Sequence, residues 1–221
     1  MTKMKIKWCA FLSVIYALLL VAGCALNAHR MHPEFNIRAD SVKNPVLVTP
    51  DVNLYEMSLG GVAMLRDDWS SIGRKNLQIA IMENLEQKRC NIKLMETDDR
   101  TVGEMEKVKA LYKLVHKSMD QHMFGPNQKA GGTNDFDYSL GSLETILQKV
   151  DADAMIFVTG YDRISSEGRK ALIDIAIADS SGTIVYYSVK GTTQGKDLRD
   201  PGDTAAMVRD LLAGFFRMEE G

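Results

Sequence analysis

The apolar positions of this chain fall into distinct periods, and those periods set the predicted elements. Residues 8–20 form an apolar run behind three early lysines, and residues 25–44 follow as polar sequence with no period. Pro45-Val46-Leu47-Val48-Thr49-Pro50 is a short apolar run between two prolines, which predicts a buried strand. After Gly60-Gly61, Trp69, Ile72, Leu77, Ile81 and Leu85 recur at helical spacing, with Asp67 or Asp68 as the cap. Residues 92–97 alternate as a strand with one wet face. Thr101 and Glu104 fit a capping box, and Val108, Leu111, Tyr112, Val115 and Met119 form one face of the helix it opens. A polar loop over 125–137 leads to a predicted helix over 139–150. Residues 154–160 are apolar on both alternating faces, as a central strand requires.

The last third carries the clearest local pattern. Ala171, Ile173, Ile175 and Ile177 share one face of a strand. Ser180-Ser181-Gly182 supplies a turn, and Val185, Tyr187 and Val189 share a face of the return strand, which makes a hairpin. Asp203 or Thr204 can cap a final helix whose apolar face holds Val208, Leu211, Leu212, Phe215 and Phe216. The order β-α-β-α-α-β-β-β-α predicts an α/β (α+β) fold, a mixed β-sheet with helices packed on it.

Lys3, Lys5 and Lys7, the apolar run and Val21-Ala22-Gly23-Cys24 are the basic head, apolar core and small-residue cut of a secretory signal. The core is shorter than the about 20 apolar residues of a membrane span. The residues before Cys24 resemble the bacterial lipobox, in which the cysteine sulfur carries diacylglycerol. The expected divisions are a lipoprotein signal peptide over 1–23, a lipidated tether over 24–44 and one periplasmic domain over 45–221. Ala25 stands where lipoproteins retained in the inner membrane carry Asp, so the resemblance implies an outer-membrane anchor facing the periplasm. As a flexible segment, the tether would span on the order of 25 Å.

Removing residues 1–23 removes three lysines and no acid, so the net charge moves from -2 to -5. An acidic domain is a poor electrostatic match for nucleic acid or anionic lipid. With Cys24 consumed by lipid, Cys90 is the one cysteine left, so no internal disulfide is expected. Its setting, Lys88-Arg89-Cys90-Asn91-Ile92, predicts a half-buried, inert thiol at a helix-to-strand junction.

Asp151-Ala152-Asp153-Ala154-Met155-Ile156-Phe157-Val158-Thr159-Gly160 resembles a segment of one bacterial outer-membrane lipoprotein superfamily. Its members include the curli-secretion channel lipoprotein and the penicillin-binding-protein activator lipoprotein. The hairpin from Ile175 to Val185 and the strand Val46-Leu47-Val48 also fit that family, over most of residues 45–217. The resemblance implies a fold similar to the N-terminal domain of the Tol-system propeller protein. The channel member builds its pore from long inserted hairpins. Residues 161–169 are too few for that, since one barrel strand takes about 9–11 residues. The non-channel members are the closer analogy.

The sequence holds no phosphate loop, no G-x-S-x-G and no S-x-x-K. His116 and Asp120 are four apart with His122 nearby, but no third ligand is indicated; they read as solvated polar residues on an amphipathic helix, and His29 and His32 as exposed tether residues. Asp162, Arg163, Glu167 and Arg169 lie in a predicted loop after the central strand, a candidate partner-contact surface. No catalytic residue, cofactor or metal is indicated. The leading expectation is a non-enzymatic lipoprotein that binds a protein partner in envelope assembly or secretion. The alternatives are a homo-oligomeric ring serving secretion, and an envelope enzyme betrayed by a buried titrating pair in a deep pocket.

Overall fold

A computed structural model describes residues 27–96, 101–124, 136–166, 168–192 and 195–216. The expected signal peptide over 1–23, Cys24 and Glu167 lie outside the described residues. The fold is α+β. Eight strands form one mixed sheet, with five helices packed on it among the described residues. The elements are β1 Asn27–Met31, α1 Phe35–Ala39, β2 Pro45–Leu47, β3 Asp51–Met57, β4 Ala63–Leu65 and α2 Asp67–Gln87. There follow β5 Lys93–Leu94, α3 Val102–Phe124, α4 Glu144–Lys149, β6 Ala154–Ser165, β7 Gly168–Asp179, β8 Ile184–Thr192 and α5 Pro201–Phe216.

β6 is the hub. It pairs parallel with β2 and β3 and antiparallel with β7, which continues through β8 to β1. Its apolar residues divide between two cores, as a strand covered on both faces requires. Ile156 and Val158 pack with Leu77 and Ile81 of α2 and Val208 and Leu211 of α5. Met155 and Phe157 pack with Tyr112 and Met119 of α3 and Ile146 of α4. Gly160 lets α2 approach, because a Cβ there would lie 2.9 Å from Leu77 Cδ1.

The nine predicted elements are all present, and four more join them. Residues 27–39 are not a tether. β1 pairs with β8 over five rungs, from Asn27 opposite Lys190 to Met31 opposite Tyr186. Phe35 of α1 is buried against Tyr186 and Phe215. Arg38 reaches Asp179 at 2.7 Å. β3 and β4 fill the stretch around Gly60-Gly61 that carried no prediction.

Two boundaries and one face assignment move for physical reasons. The helix predicted over 139–150 begins at Glu144, because Ser139 instead bridges Thr183 and Gly141 takes φ +69. The last helix is capped by Asp200, which accepts from the Asp203 amide at 2.8 Å and places Pro201 in the first turn. In β8, a register shift opposite Ile177/Ala178 puts Val185 in the α2–α5 core, while Tyr187 and Val189 face α3. A bulge of this kind flips the side-chain alternation.

Candidate functional site

The chain opens a cleft of about 580 Å³ between α3, the β2–β3 junction and β6. Its walls include Pro50, Asp51, Lys109, Lys113 and Tyr161. Tyr112 and His116, one turn apart on α3, form its inner side with Phe157. The Tyr112 ring stacks on Phe157 at 4.2 Å and lies 5.5 Å from the His116 ring.

Beneath the cleft is a polar cluster inside the apolar layer. Asp174 of β7 is 3% exposed. His116 Nε2 lies 2.9 Å from its Oδ1, at ion-pair distance but off the line of a good hydrogen bond. Thr159 Oγ1 of β6 donates to the other oxygen, Oδ2. Tyr187 Oη of β8 donates to Asp120 Oδ1 at 2.7 Å and lies 3.2 Å from His116 Nε2. The cluster thus ties α3 to three central strands.

Burial opposes a charge on His116, but the contact with Asp174 and the charges of Asp120 and Asp51 outweigh it and raise its pKa. Burial also raises the pKa of Asp174, against the lowering pull of His116. Both shifts favour a retained proton. The Tyr112 and Tyr187 hydroxyls are pushed up by burial first and then by the nearby Asp174 and Asp120, so both stay neutral.

His116 is therefore not a solvated surface residue, while Asp120 stays partly exposed and accepts from the Tyr187 hydroxyl. His116 is 20% exposed and held by the sheet. His122 sits apart, 3.1 Å from Tyr138 Oη. Among the described residues, no group of three His, Cys, Asp or Glu could hold a metal ion. Asp174 escaped the sequence reading, although an acid between Leu172 and Ala176 on an otherwise apolar face was the available signal. His32 of the supposed tether is also buried, 3.6 Å from Asp137, while His29 is exposed beside Tyr186.

The expected contact loop does not exist as a loop. β6 and β7 run through it as a hairpin, with Ser165 opposite Gly168. Asp162 is 0% exposed and faces inward. Arg169 is paired with Asp197 at 2.5 Å, and Asp197 also holds Arg199 at 3.1 Å. Arg163 is exposed. Asp162 has no well-formed hydrogen bond, the Leu198 amide facing it too loosely. Burial, partly opposed by Arg169, pushes its pKa up to about 6. Asp162, Arg163 and Arg169 do not form one surface. Cys90 is half-buried against the α2–α5 core.

A buried titrating pair below a cleft is the arrangement that an enzyme reading required. Nucleophilic catalysis needs a hydroxyl or thiol paired with the base. Here the Thr159 proton is committed to Asp174, and His116 Nε2 faces Tyr187 and Asp174. Tyr187 Oη, the hydroxyl beside His116, donates instead to Asp120, so these groups hold α3 to the strands. The molecule is thus a mixed-sheet domain with an open cleft whose floor is pinned by buried ionisable groups.

No protein-family model matches the chain, and no curated protein matches it by sequence. Solved structures do resemble it at low identity. A PelC dodecamer from Paraburkholderia phytofirmans is 8% identical, with a TM-score of 0.43 over 86% of this chain and 96% of that one. The lipoprotein GNA1162 from Neisseria meningitidis is 10% identical, with a TM-score of 0.32 over 69% of this chain and 81% of that one. The C-terminal domain of LpoB from Salmonella enterica is 10% identical, with a TM-score of 0.30 over 75% of this chain and 96% of that one.

Proposed function

We propose that the chain is a non-enzymatic lipoprotein of the cell envelope, cut before Cys24 and held by lipid to the outer membrane, facing the periplasm. Its domain holds a protein partner in envelope assembly or secretion. The observation that carries the anchor is the basic head and apolar run ending in Val21-Ala22-Gly23-Cys24, directly ahead of a folded domain that starts at Asn27. Among the described residues no helix is long and apolar enough to cross a membrane.

The cleft is the partner's place in this reading. It is open, and its floor is fixed by the His116–Asp174 cluster, so little order is lost when a segment docks there. Growth with labelled palmitate tests the anchor: the protein takes up label, and Cys24→Ser abolishes both label and membrane retention. A photo-crosslinker replacing Lys113 at the cleft mouth tests the partner. It captures one reproducible envelope protein, and the same probe replacing Thr145 on α4 does not. Capture at neither position ends the partner reading. Ring assembly is the second reading, favoured by β4, whose outer edge pairs with no described strand. Sedimentation of the detergent-solubilised protein separates the two, since a ring runs as a large oligomer.

A further inference from the structure

The strand ladder shows what projects from the sheet at the end where the chain enters it. Asn27, Lys190, Ile173, Gly160 and Val52 share one rung across β1, β8, β7, β6 and β3. From that rung β3 continues to Met57 before turning into β4, about 17 Å at 3.3 Å per residue. β6 continues equally far, to Ser165. Neighbouring strands turn by about 20°, so β1 and β3 are steeply crossed, yet the chain enters β1 at the end toward which β3 runs.

The β3–β4 hairpin is apolar and uncovered. Leu59 is 96% exposed, Val62 63%, Met64 53% and Leu65 48%. All three residues of β4 face solvent. An apolar cluster of this kind marks a contact surface. Behind its tip, the half-buried Tyr55 and Tyr161 form a ring pair at 5.4 Å. Arg163 and Lys170 lie opposite one another across the β6–β7 ladder, both exposed, with the Arg163 guanidinium 5.5 Å from the Tyr161 ring centre. Like charges directly opposite destabilise a sheet, and anionic headgroups relieve that repulsion. An apolar tip backed by tyrosines and two cations follows the layering of a lipid interface.

We propose that this end of the sheet rests on the membrane, with the β3–β4 hairpin tip seated in the leaflet that holds Cys24. The inference rests on lipid attachment at that cysteine. Three chain steps separate Cys24 from Asn27, which keeps the two Cα atoms within about 11 Å of each other. The hairpin extends farther from the shared rung than that leash does, so holding the acyl chains in the bilayer brings the tip to its surface. Net acidity does not forbid the contact. Of the acids near the hairpin, Glu56 and Asp68 are taken up by Arg66 at 2.6 and 3.0 Å, and Asp67 is exposed at the start of α2.

The test uses the full chain, processed in cells and reconstituted in vesicles of phosphatidylethanolamine and phosphatidylglycerol. In a Cys90→Ser background, an environment-sensitive dye is attached through Leu59→Cys, through Val62→Cys in a second protein, and through Thr145→Cys as the control at the opposite end. The expected result is a blue shift at 59 and 62 and loss of most emission there to nitroxide-bearing lipid, with position 145 unchanged. No shift at 59 or 62 in protein that carries palmitate on Cys24 overturns the hairpin contact and leaves the anchor standing. A blue shift without nitroxide quenching shows that protein, such as a second copy along β4, covers the hairpin, and also overturns it. Absence of palmitate on Cys24 overturns the anchor and this inference together.

Discussion

Replacing Asp162 by Asn should make the protein more stable at neutral pH, although it removes a charge from beside two arginines. Asp162 lies opposite Leu54 and Ala171 in the middle of the sheet and is 0% exposed. Arg169, its nearest source of positive charge, is already bound to Asp197 at 2.5 Å. Desolvation therefore dominates, and the carboxyl's pKa rises from 3.8 to about 6. Between those values the native state binds the extra proton, so stability falls as pH rises through this window, and above about pH 6 the full cost is present. The gap corresponds to about 3 kcal/mol. The asparagine is neutral at every pH and nearly the same shape. Urea unfolding followed by circular dichroism, at steps from pH 4 to pH 8, measures the effect. The variant's advantage should reach about 3 kcal/mol at pH 8 and vanish near pH 4. A difference that does not change with pH, or a variant less stable than the parent at pH 8, would show that Arg169 and Arg199 keep Asp162 charged and would refute the reasoning.

Three further expectations concern packing. His116→Ala leaves Asp174 buried without its cation and should cost about 3–5 kcal/mol by urea unfolding; adding Asp174→Asn should return a large part of it, and additive losses would mean that the pair is not coupled. Phe35→Ala should cost about 3–5 kcal/mol, because the ring is 4% exposed against Tyr186 and Phe215; an unchanged midpoint would restore the tether reading. Gly182→Ala should lower the thermal midpoint by several degrees. Its φ is +82 and a Cβ there would meet the Gly141 carbonyl oxygen at 1.8 Å, so strain and overpacking together cost about 3 kcal/mol.

Where burial follows a period, the sequence shows the fold. Ala171, Ile173, Ile175 and Ile177 alternate and all reach the α2–α5 core. Trp69 to Leu85 repeats at helical spacing and becomes α2. Residues 27–39 have no such period, because β1 is an edge strand whose order comes from main-chain pairing with β8, which any non-proline sequence can supply. Phe35 is a single anchor, and one buried ring makes no pattern. β4 was invisible for the opposite reason: its apolar residues face solvent, so no buried face exists for a period to mark.

Of the two buried acids, one was legible in kind and neither in consequence. Asp174 interrupts the apolar run from Ala171 to Ala178, a signal of an inward charge, whereas Asp162 stands beside Arg163 at the polar end of β6 and gave no such signal. Which face each one enters depends on register. Asp174 shares the face of Ala176 and Ala178, under α3, where His116 meets it. Asp162 shares the side of Gly160, which faces Leu77 of α2, and it finds only arginines already engaged by Asp197. The same residue type therefore does opposite things on the two sides of one sheet. Under the cleft it fixes a helix against the strands, and a docking surface needs that rigidity. Opposite, it weakens the fold as pH rises. A histidine within α3 and an aspartate on β7 are 58 positions apart in the chain, so only the packing of α3 on the assembled sheet, which no local pattern encodes, could bring them together.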